Sequence, residues 1–234
     1  MPQQILFFAW QLTGNSKYQE VALKNAELIA GYNIKENGET LFRSYFDIRT
    51  GKVSWESLGH DDFRNSPNSS RNYAWALYGL AVCYAVTRNS LYADKFHRIY
   101  TLLAARSTLD DIYHVNIFQK NGGCYDSTSS AIIAGAFLEM SRILKNEPGK
   151  AAFSADYARF GSILLQIMLN RFAIDSTSNE EGLLKDGYIG GISSGSSEST
   201  ICGDYFYLES LLNAGTERSS FWYGLCHEKC LFRF

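Results

Sequence analysis

The segment Leu12-Thr-Gly-Asn-Ser-Lys-Tyr18 returns later in the chain as Val86-Thr-Arg-Asn-Ser-Leu-Tyr92. Each copy interrupts a run of apolar residues that recur at helical spacing. Gly, Asn and Ser are the residue types that end one helix and cap the next. A looser third copy contains Asn146-Glu-Pro-Gly149. Each of these segments therefore predicts two helices joined by a short turn.

Apolar periodicity predicts seven helices, at residues 4–12, 17–31, 71–87, 91–105, 127–145, 151–171 and 203–213. Longer connections rich in Gly, Ser, Asn and Asp separate the hairpins, at 33–70, 107–126 and 173–202. Residues 40–47 alternate as a short strand does. Stacked helical hairpins with short turns on one side and long loops on the other form a curved solenoid or toroid. We therefore expect an all-α toroid whose long loops share one face, where function is usually found.

The composition excludes several classes of protein. The chain has 234 residues, 46% of them hydrophobic, and a net charge of −2. This is enough for one large domain with a sizeable core, and it offers no basic excess for nucleic acid. A membrane span is not expected, because no run of 18 apolar residues is present. The N-terminus lacks the features of a signal peptide, which predicts a cytoplasmic location.

Two short segments mix charges with aromatic rings inside apolar helices. They are Arg71-Asn-Tyr-Ala-Trp75-Ala-Leu-Tyr-Gly79 and Cys202-Gly-Asp204-Tyr-Phe-Tyr-Leu-Glu209. Arg71 and Trp75 lie one helical turn apart, so the guanidinium can bind a carboxylate while the indole stacks on a flat partner. This combination suits a sugar acid. A structural ion pair of Arg71 with Asp204 is an open alternative, because a buried arginine needs a partner.

Three polar clusters precede predicted helix N-termini, which attract anions. The first, Gly59–Asp62, contains His60 and Asp62, and the third, Ser193–Thr200, contains Ser194. The second is Cys124–Ala131. Each cluster also has a purely structural interpretation: Asp126 and Ser127 as helix caps, and the other two clusters as solvated loops.

Three motifs carry a family resemblance. Arg71-x-x-Ala-Trp-Ala-Leu-Tyr-Gly79 comes first, then Asp126-Ser-x-x-Ser-Ala-Ile-Ile-Ala-Gly135, and then Gly203-Asp-Tyr-Phe-Tyr-Leu-Glu209. In this order and spacing they resemble glycoside hydrolase family 88, the unsaturated glucuronyl hydrolases. The resemblance covers about residues 1–213. Residues 214–234 differ from the family and are predicted to form a divergent C-terminal tail.

The resemblance implies an (α/α)6 barrel, of which about four of the six hairpins would be present here. It implies a hydrolase that releases 4,5-unsaturated uronic acid from oligosaccharides left by polysaccharide lyases. An aspartic acid protonates the vinyl ether and water adds to it, without a metal or an organic cofactor. The partner expected is therefore an unsaturated uronyl oligosaccharide, and the oligomeric state is left open. The resemblance and the polar clusters described above together give six expected substrate-binding residues: Arg71, Trp75, His60, Asp62, Ser194 and Asp204.

The sequence also departs from the family pattern. The helix that follows the catalytic acid resembles Met1–Ala9, which places the catalytic aspartates upstream of Met1. Phe42 and Cys202 stand where the family has a histidine and a tryptophan. We therefore expect an N-terminally truncated chain that is inactive alone and exposes apolar helix faces. A non-catalytic toroid that binds sugar acids and an unsaturated rhamnogalacturonyl hydrolase are the alternatives.

Overall fold

The computed structural model describes residues 2–41, 43–47, 49–57, 68–118, 124–175, 177–188 and 198–216. In these ranges the chain forms seven α-helices and one two-stranded hairpin. The helices are α1 Pro2–Thr13, α2 Ser16–Leu28, α3 Ser70–Thr87, α4 Ser90–Arg106, α5 Ser127–Leu144, α6 Ala151–Arg171 and α7 Ile201–Gly215. The strands are β1 Arg43–Phe46 and β2 Val53–Ser57. All seven predicted helices are confirmed.

The repeated segment forms the same turn twice. In α1–α2 and α3–α4, the Asn15 and Asn89 side chains cap the second helix, each accepting the backbone N–H two residues further on, at 3.1 and 3.0 Å. The hydroxyls of Thr13 and Thr87 donate to the carbonyl four residues earlier, both at 2.7 Å. These hydroxyls also accept from the backbone N–H of the capping asparagines. The sequence repeat is therefore a repeat of hydrogen-bonded turns.

The helices form two layers. α1, α3, α5 and α7 pack in succession against one another, whereas α2 packs on α1, α4 on α3, and α6 on α5. α5 is buried along almost its whole length, since it contacts α3, α6 and α7. Alternate helices therefore make an inner and an outer row, and the fold is an incomplete α/α toroid. The described residues contain three helical hairpins and α7, slightly less than the four hairpins predicted.

The inner helices at the two ends of the row expose apolar side chains. Ile5 and Leu12 of α1 are 62% and 59% exposed, and Leu208 and Leu212 of α7 are 49% and 61% exposed. The sequence prediction of exposed apolar helix faces is thus confirmed. Across the helices that the structure describes, none is both long and apolar enough to span a bilayer.

The short strand predicted from the sequence is confirmed, whereas the predicted domain boundary after residue 213 stays a prediction. The strand expected at 40–47 is present as β1, but it pairs with β2 in an antiparallel hairpin that the sequence did not predict, with Arg43 opposite Ser57. The boundary between a toroid ending at 213 and a tail at 214–234 stays a prediction. α7 continues to Gly215, and residues 217–234 lie outside the described ranges.

The backbone conformation of Gly14, in the turn between α1 and α2, leads to a prediction about stability. Gly14 has φ of +69° with no atom within 4 Å of an added Cβ, so Gly14→Ala would introduce backbone strain without a clash. We expect this variant to lower the free energy of unfolding by about 1 kcal/mol. Gly31, which also has open space around it but no positive φ, is the matched control. Gly31→Ala should leave stability unchanged or raise it in urea titrations. Equal losses of unfolding free energy in both variants would show that the positive φ of Gly14 is not the cause.

Candidate functional site

The inner helices α3, α5 and α7 begin on the same face, and backbone hydrogen bonds join the segments that precede them. Ser70 N–H donates to the Val115 carbonyl at 2.9 Å, and Ser127 N–H donates to Asp186 at 3.0 Å. Gly187 N–H donates to Glu198 at 2.7 Å, just before α7. The prediction that the long loops share a face is therefore confirmed for their described parts.

Arg71, in the first turn of α3, forms an ion pair with Asp126 at the N-terminus of α5. Its Nε donates to Asp126 Oδ2 at 3.2 Å and its Nη2 to Asp126 Oδ1 at 3.0 Å. Nη2 also donates to the Tyr188 carbonyl at 2.7 Å. The sequence left open a structural ion pair of Arg71 with Asp204. That alternative is wrong, because Arg71 pairs with Asp126 instead. The physical reason is the packing order, because α5 lies between α3 and α7.

Asp126 is 1% exposed, and its carboxylate accepts five hydrogen bonds. Besides the two nitrogens of Arg71, Ser129 donates through its hydroxyl at 2.5 Å and its backbone N–H at 3.3 Å. The Tyr188 N–H lies 3.4 Å from Oδ1. The cap predicted at Asp126 is therefore confirmed, and the same carboxylate also binds α3 and the segment before α7. Ser127 is not a cap, because it is the first residue of α5 and its buried hydroxyl has no hydrogen-bond partner among the described residues. A buried carboxylate requires such complete pairing.

Among the described residues, the Arg71 guanidinium has one nitrogen without a hydrogen-bond partner. Nε and Nη2 face Asp126 and Tyr188, whereas Nη1 makes no hydrogen bond to any residue in the described ranges. The side chain is 36% exposed. Because the other edge is fixed by two parallel bonds, Nη1 is held in one orientation and can donate to an anion.

Trp75 lies one turn after Arg71 and is half-buried. Its indole contacts the Phe206 ring of α7 edge-on, with centroids 5.5 Å apart. Phe206 also contacts Tyr78 at 5.0 Å and Tyr205 at 4.9 Å. The rings of Trp75 and Tyr78 on α3 and of Tyr205 and Phe206 on α7 therefore form one aromatic cluster, which begins one helical turn after Arg71.

Asp204 anchors the segment that precedes α7. Its Oδ1 accepts the backbone N–H groups of Leu183 and Leu184, at 3.0 and 3.1 Å. The beginning of α7 is also held against α5, since the Thr128 and Thr200 hydroxyls lie 2.6 Å apart. Gly203 allows this close approach, because an added Cβ would lie 2.9 Å from both hydroxyl oxygens. A substrate contact of Asp204 stays a prediction.

His60, Asp62 and Ser194 lie outside the described residues. Elsewhere in the described chain, no group of three or more His, Cys, Asp or Glu side chains could hold a metal ion.

Sequence reasoning missed one pair in the site. The Tyr78 hydroxyl donates to both oxygens of Glu209, at 3.0 and 2.8 Å. Burial, and then the Glu209 charge, raises the pKa of Tyr78 well above its ordinary value. The available signal was a glutamate within the apolar run of α7, a setting in which a carboxylate requires a donor.

The role of Asp126 can be separated from ordinary helix capping. Asp126→Ala removes a cap and leaves Arg71 without its partner, so we expect a loss of about 3 kcal/mol in the free energy of unfolding. Asn89→Ala removes only the exposed cap of α4, and we expect a loss of about 1 kcal/mol. Urea titrations of both variants measure the difference. Similar losses would show that Asp126 acts as a cap alone.

Comparisons with known proteins agree with the motifs. The chain is 26% identical over 220 residues to the unsaturated chondroitin disaccharide hydrolase of Streptococcus pneumoniae. The aligned region covers 94% of this chain and 55% of that protein. It is also 26% identical over 225 residues to an unsaturated glucuronyl hydrolase of Bacillus sp., covering 94% of this chain and 58% of that protein. The chain thus spans little more than half the length of these relatives. No family model matches the sequence.

Solved structures show the same fold. The unsaturated glucuronyl hydrolase of Bacillus sp. GL1 superposes with a TM-score of 0.81 at 24% identity, over 95% of this chain and 59% of that one. An unsaturated glucuronyl hydrolase specific for heparin gives a TM-score of 0.77 at 18% identity, over 91% of this chain and 57% of that one. The resemblance indicated by the sequence motifs is therefore confirmed: the chain is a relative of the unsaturated glucuronyl hydrolases and has their fold.

Proposed function

We propose that this chain binds unsaturated uronyl oligosaccharides and is part of a glycosidase that releases 4,5-unsaturated uronic acid from them. The observation that carries the proposal is the Arg71 guanidinium, which the buried Asp126 fixes one helical turn before Trp75. The names of its relatives, unsaturated chondroitin disaccharide hydrolase and unsaturated glucuronyl hydrolase, support this class of substrate.

Each described residue would have a separate task in binding. Arg71 Nη1 would donate to the carboxylate of the uronic acid, and Trp75 would cover one face of its flat, unsaturated ring. The N-termini of α3, α5 and α7 would favour the negative charge, because the positive ends of three helix dipoles lie on the same face. Asp204 would hold the segment at 183–188 beside the ligand through its bonds to Leu183 and Leu184.

The reaction would be hydration of the vinyl ether. A proton adds to C4, water adds to C5, and the resulting hemiketal opens and releases the neighbouring sugar. This differs from displacement at the anomeric carbon between two carboxylates. We assign the described residues to binding and orientation of the uronic acid, and none of them to proton transfer.

Calorimetric titration with an unsaturated chondroitin disaccharide tests the proposal. We expect saturable binding to the parent chain and a loss of affinity of about tenfold or more in Arg71→Ala, because a hydrogen bond to a charged group is removed. Arg71→Lys should also bind weakly, since an ammonium cannot form the paired bonds to Asp126. Trp75→Leu, which leaves the ion pair intact, should weaken binding independently of Arg71.

Two controls make the result specific. Arg159→Ala removes an exposed arginine from the outer helix α6 and should bind the disaccharide as the parent does. The methyl ester of the disaccharide, which lacks the negative charge, should bind Arg71→Ala and parent equally. Parent-like binding of the free acid by folded Arg71→Ala would contradict the proposal. Loss of the double-bond absorbance with the parent chain would contradict our assignment of the described residues to binding alone.

A further inference from the structure

Tyr78 and Glu209 link two inner helices that both pack against α5. Tyr78 lies in the middle of α3, and its hydroxyl donates to both carboxylate oxygens of Glu209 in the middle of α7. The Tyr205 hydroxyl, one turn before Glu209, lies 3.4 Å from the same carboxylate. This connection runs beneath the Arg71 end of α3, two turns further along the helix.

The Tyr78 hydroxyl stays protonated at neutral pH and can therefore act as the donor in this link. Tyr78 is 2% exposed, and the raised pKa of its hydroxyl keeps it protonated and able to donate. Burial is the first cause of that shift, followed by Glu209, with a smaller effect from Glu139 on α5. A buried phenol that donates to a carboxylate is costly to deprive of its acceptor, so α3 and α7 are held at one separation here.

The position of Trp75 depends on this separation. The Phe206 ring lies between α3 and α7 and contacts Trp75 at 5.5 Å and Tyr78 at 5.0 Å, both edge-on. Phe206 is buried, whereas Trp75 is only half-buried and has Phe206 as one wall. If the bond between Tyr78 and Glu209 is lost, Phe206 can shift and Trp75 loses that wall.

We propose that Tyr78 and Glu209 are positioning residues that fix the Trp75 indole through Phe206. Neither side chain needs to touch the ligand for this role. The consequence for ligand affinity rests on the proposed function, in which Trp75 covers the uronic acid ring. The consequence for the indole itself does not depend on the identity of the ligand.

A reporter chain with Trp75 as its single tryptophan tests the proposal. Trp10→Phe, Trp55→Phe and Trp222→Phe remove the other three, and acrylamide quenching then measures access to Trp75 alone. We expect Tyr78→Phe and Glu209→Ala each to raise the quenching constant about twofold, because the ring becomes mobile. Each variant should also lower the affinity for the unsaturated disaccharide about fivefold, the effect of one lost hydrogen bond.

Matched variants separate positioning from general loss of stability. Tyr84→Phe removes another tyrosine–glutamate hydrogen bond on α3, to Glu147 at 2.5 Å, and should change neither quenching nor affinity. Glu209→Gln keeps an acceptor for Tyr78 and should restore both values most of the way to those of the parent. Far-UV circular dichroism reports folding, and Tyr78→Phe decides the result if Glu209→Ala does not fold.

The outcomes distinguish the two proposals. Quenching that stays at the parent value in folded Tyr78→Phe overturns the positioning role. Increased quenching together with no ligand binding by the parent chain overturns the proposed function and supports the positioning role. An equal increase in Tyr84→Phe would show a general loosening of α3, which also overturns it.

Discussion

The buried carboxylate of Asp126 is the constraint on which this arrangement depends. A carboxylate that is 1% exposed must have its charge and its oxygens paired, because isolated burial is prohibitively costly. Asp126 meets this requirement with groups from three parts of the chain: Arg71 of α3, Ser129 of α5 and Tyr188 in the segment before α7. One side chain therefore fixes the relative positions of three inner-helix N-termini and orients the guanidinium that we assign to ligand binding.

The site has a second level, deeper along the same helices. The upper level consists of the Arg71–Asp126 pair, and the lower level of Tyr78, Phe206 and Glu209. Trp75 lies between the two levels and contacts the lower one through Phe206. The polar bonds at both levels leave few alternative separations for α3 and α7, so a half-exposed indole can be held in one position. Preorganisation of this kind reduces the ordering cost of binding.

Local features of the fold were predictable from the sequence, whereas the pairings across the site were not. Helix positions follow from apolar periodicity, and the turns at Asn15 and Asn89 follow from side chains that bond within four residues. The partner of Arg71 lies 55 residues away and the partner of Tyr78 lies 131 residues away. Choosing between Asp126 and Asp204 required knowing that α5 lies between α3 and α7, and periodicity carries no information on that order. The strand β2 was missed because its pairing with β1 is likewise a tertiary contact.

A double-mutant cycle on Arg71 and Asp126 measures how far the two side chains depend on each other. The free energies of unfolding of the parent, Arg71→Ala, Asp126→Ala and the double variant give the coupling energy of the pair. We expect a favourable coupling of about 2 kcal/mol, because each single change leaves the other charge without its partner in a mostly buried setting. Additive losses, with a coupling below about 0.5 kcal/mol, would show that the two side chains act independently and would contradict the account.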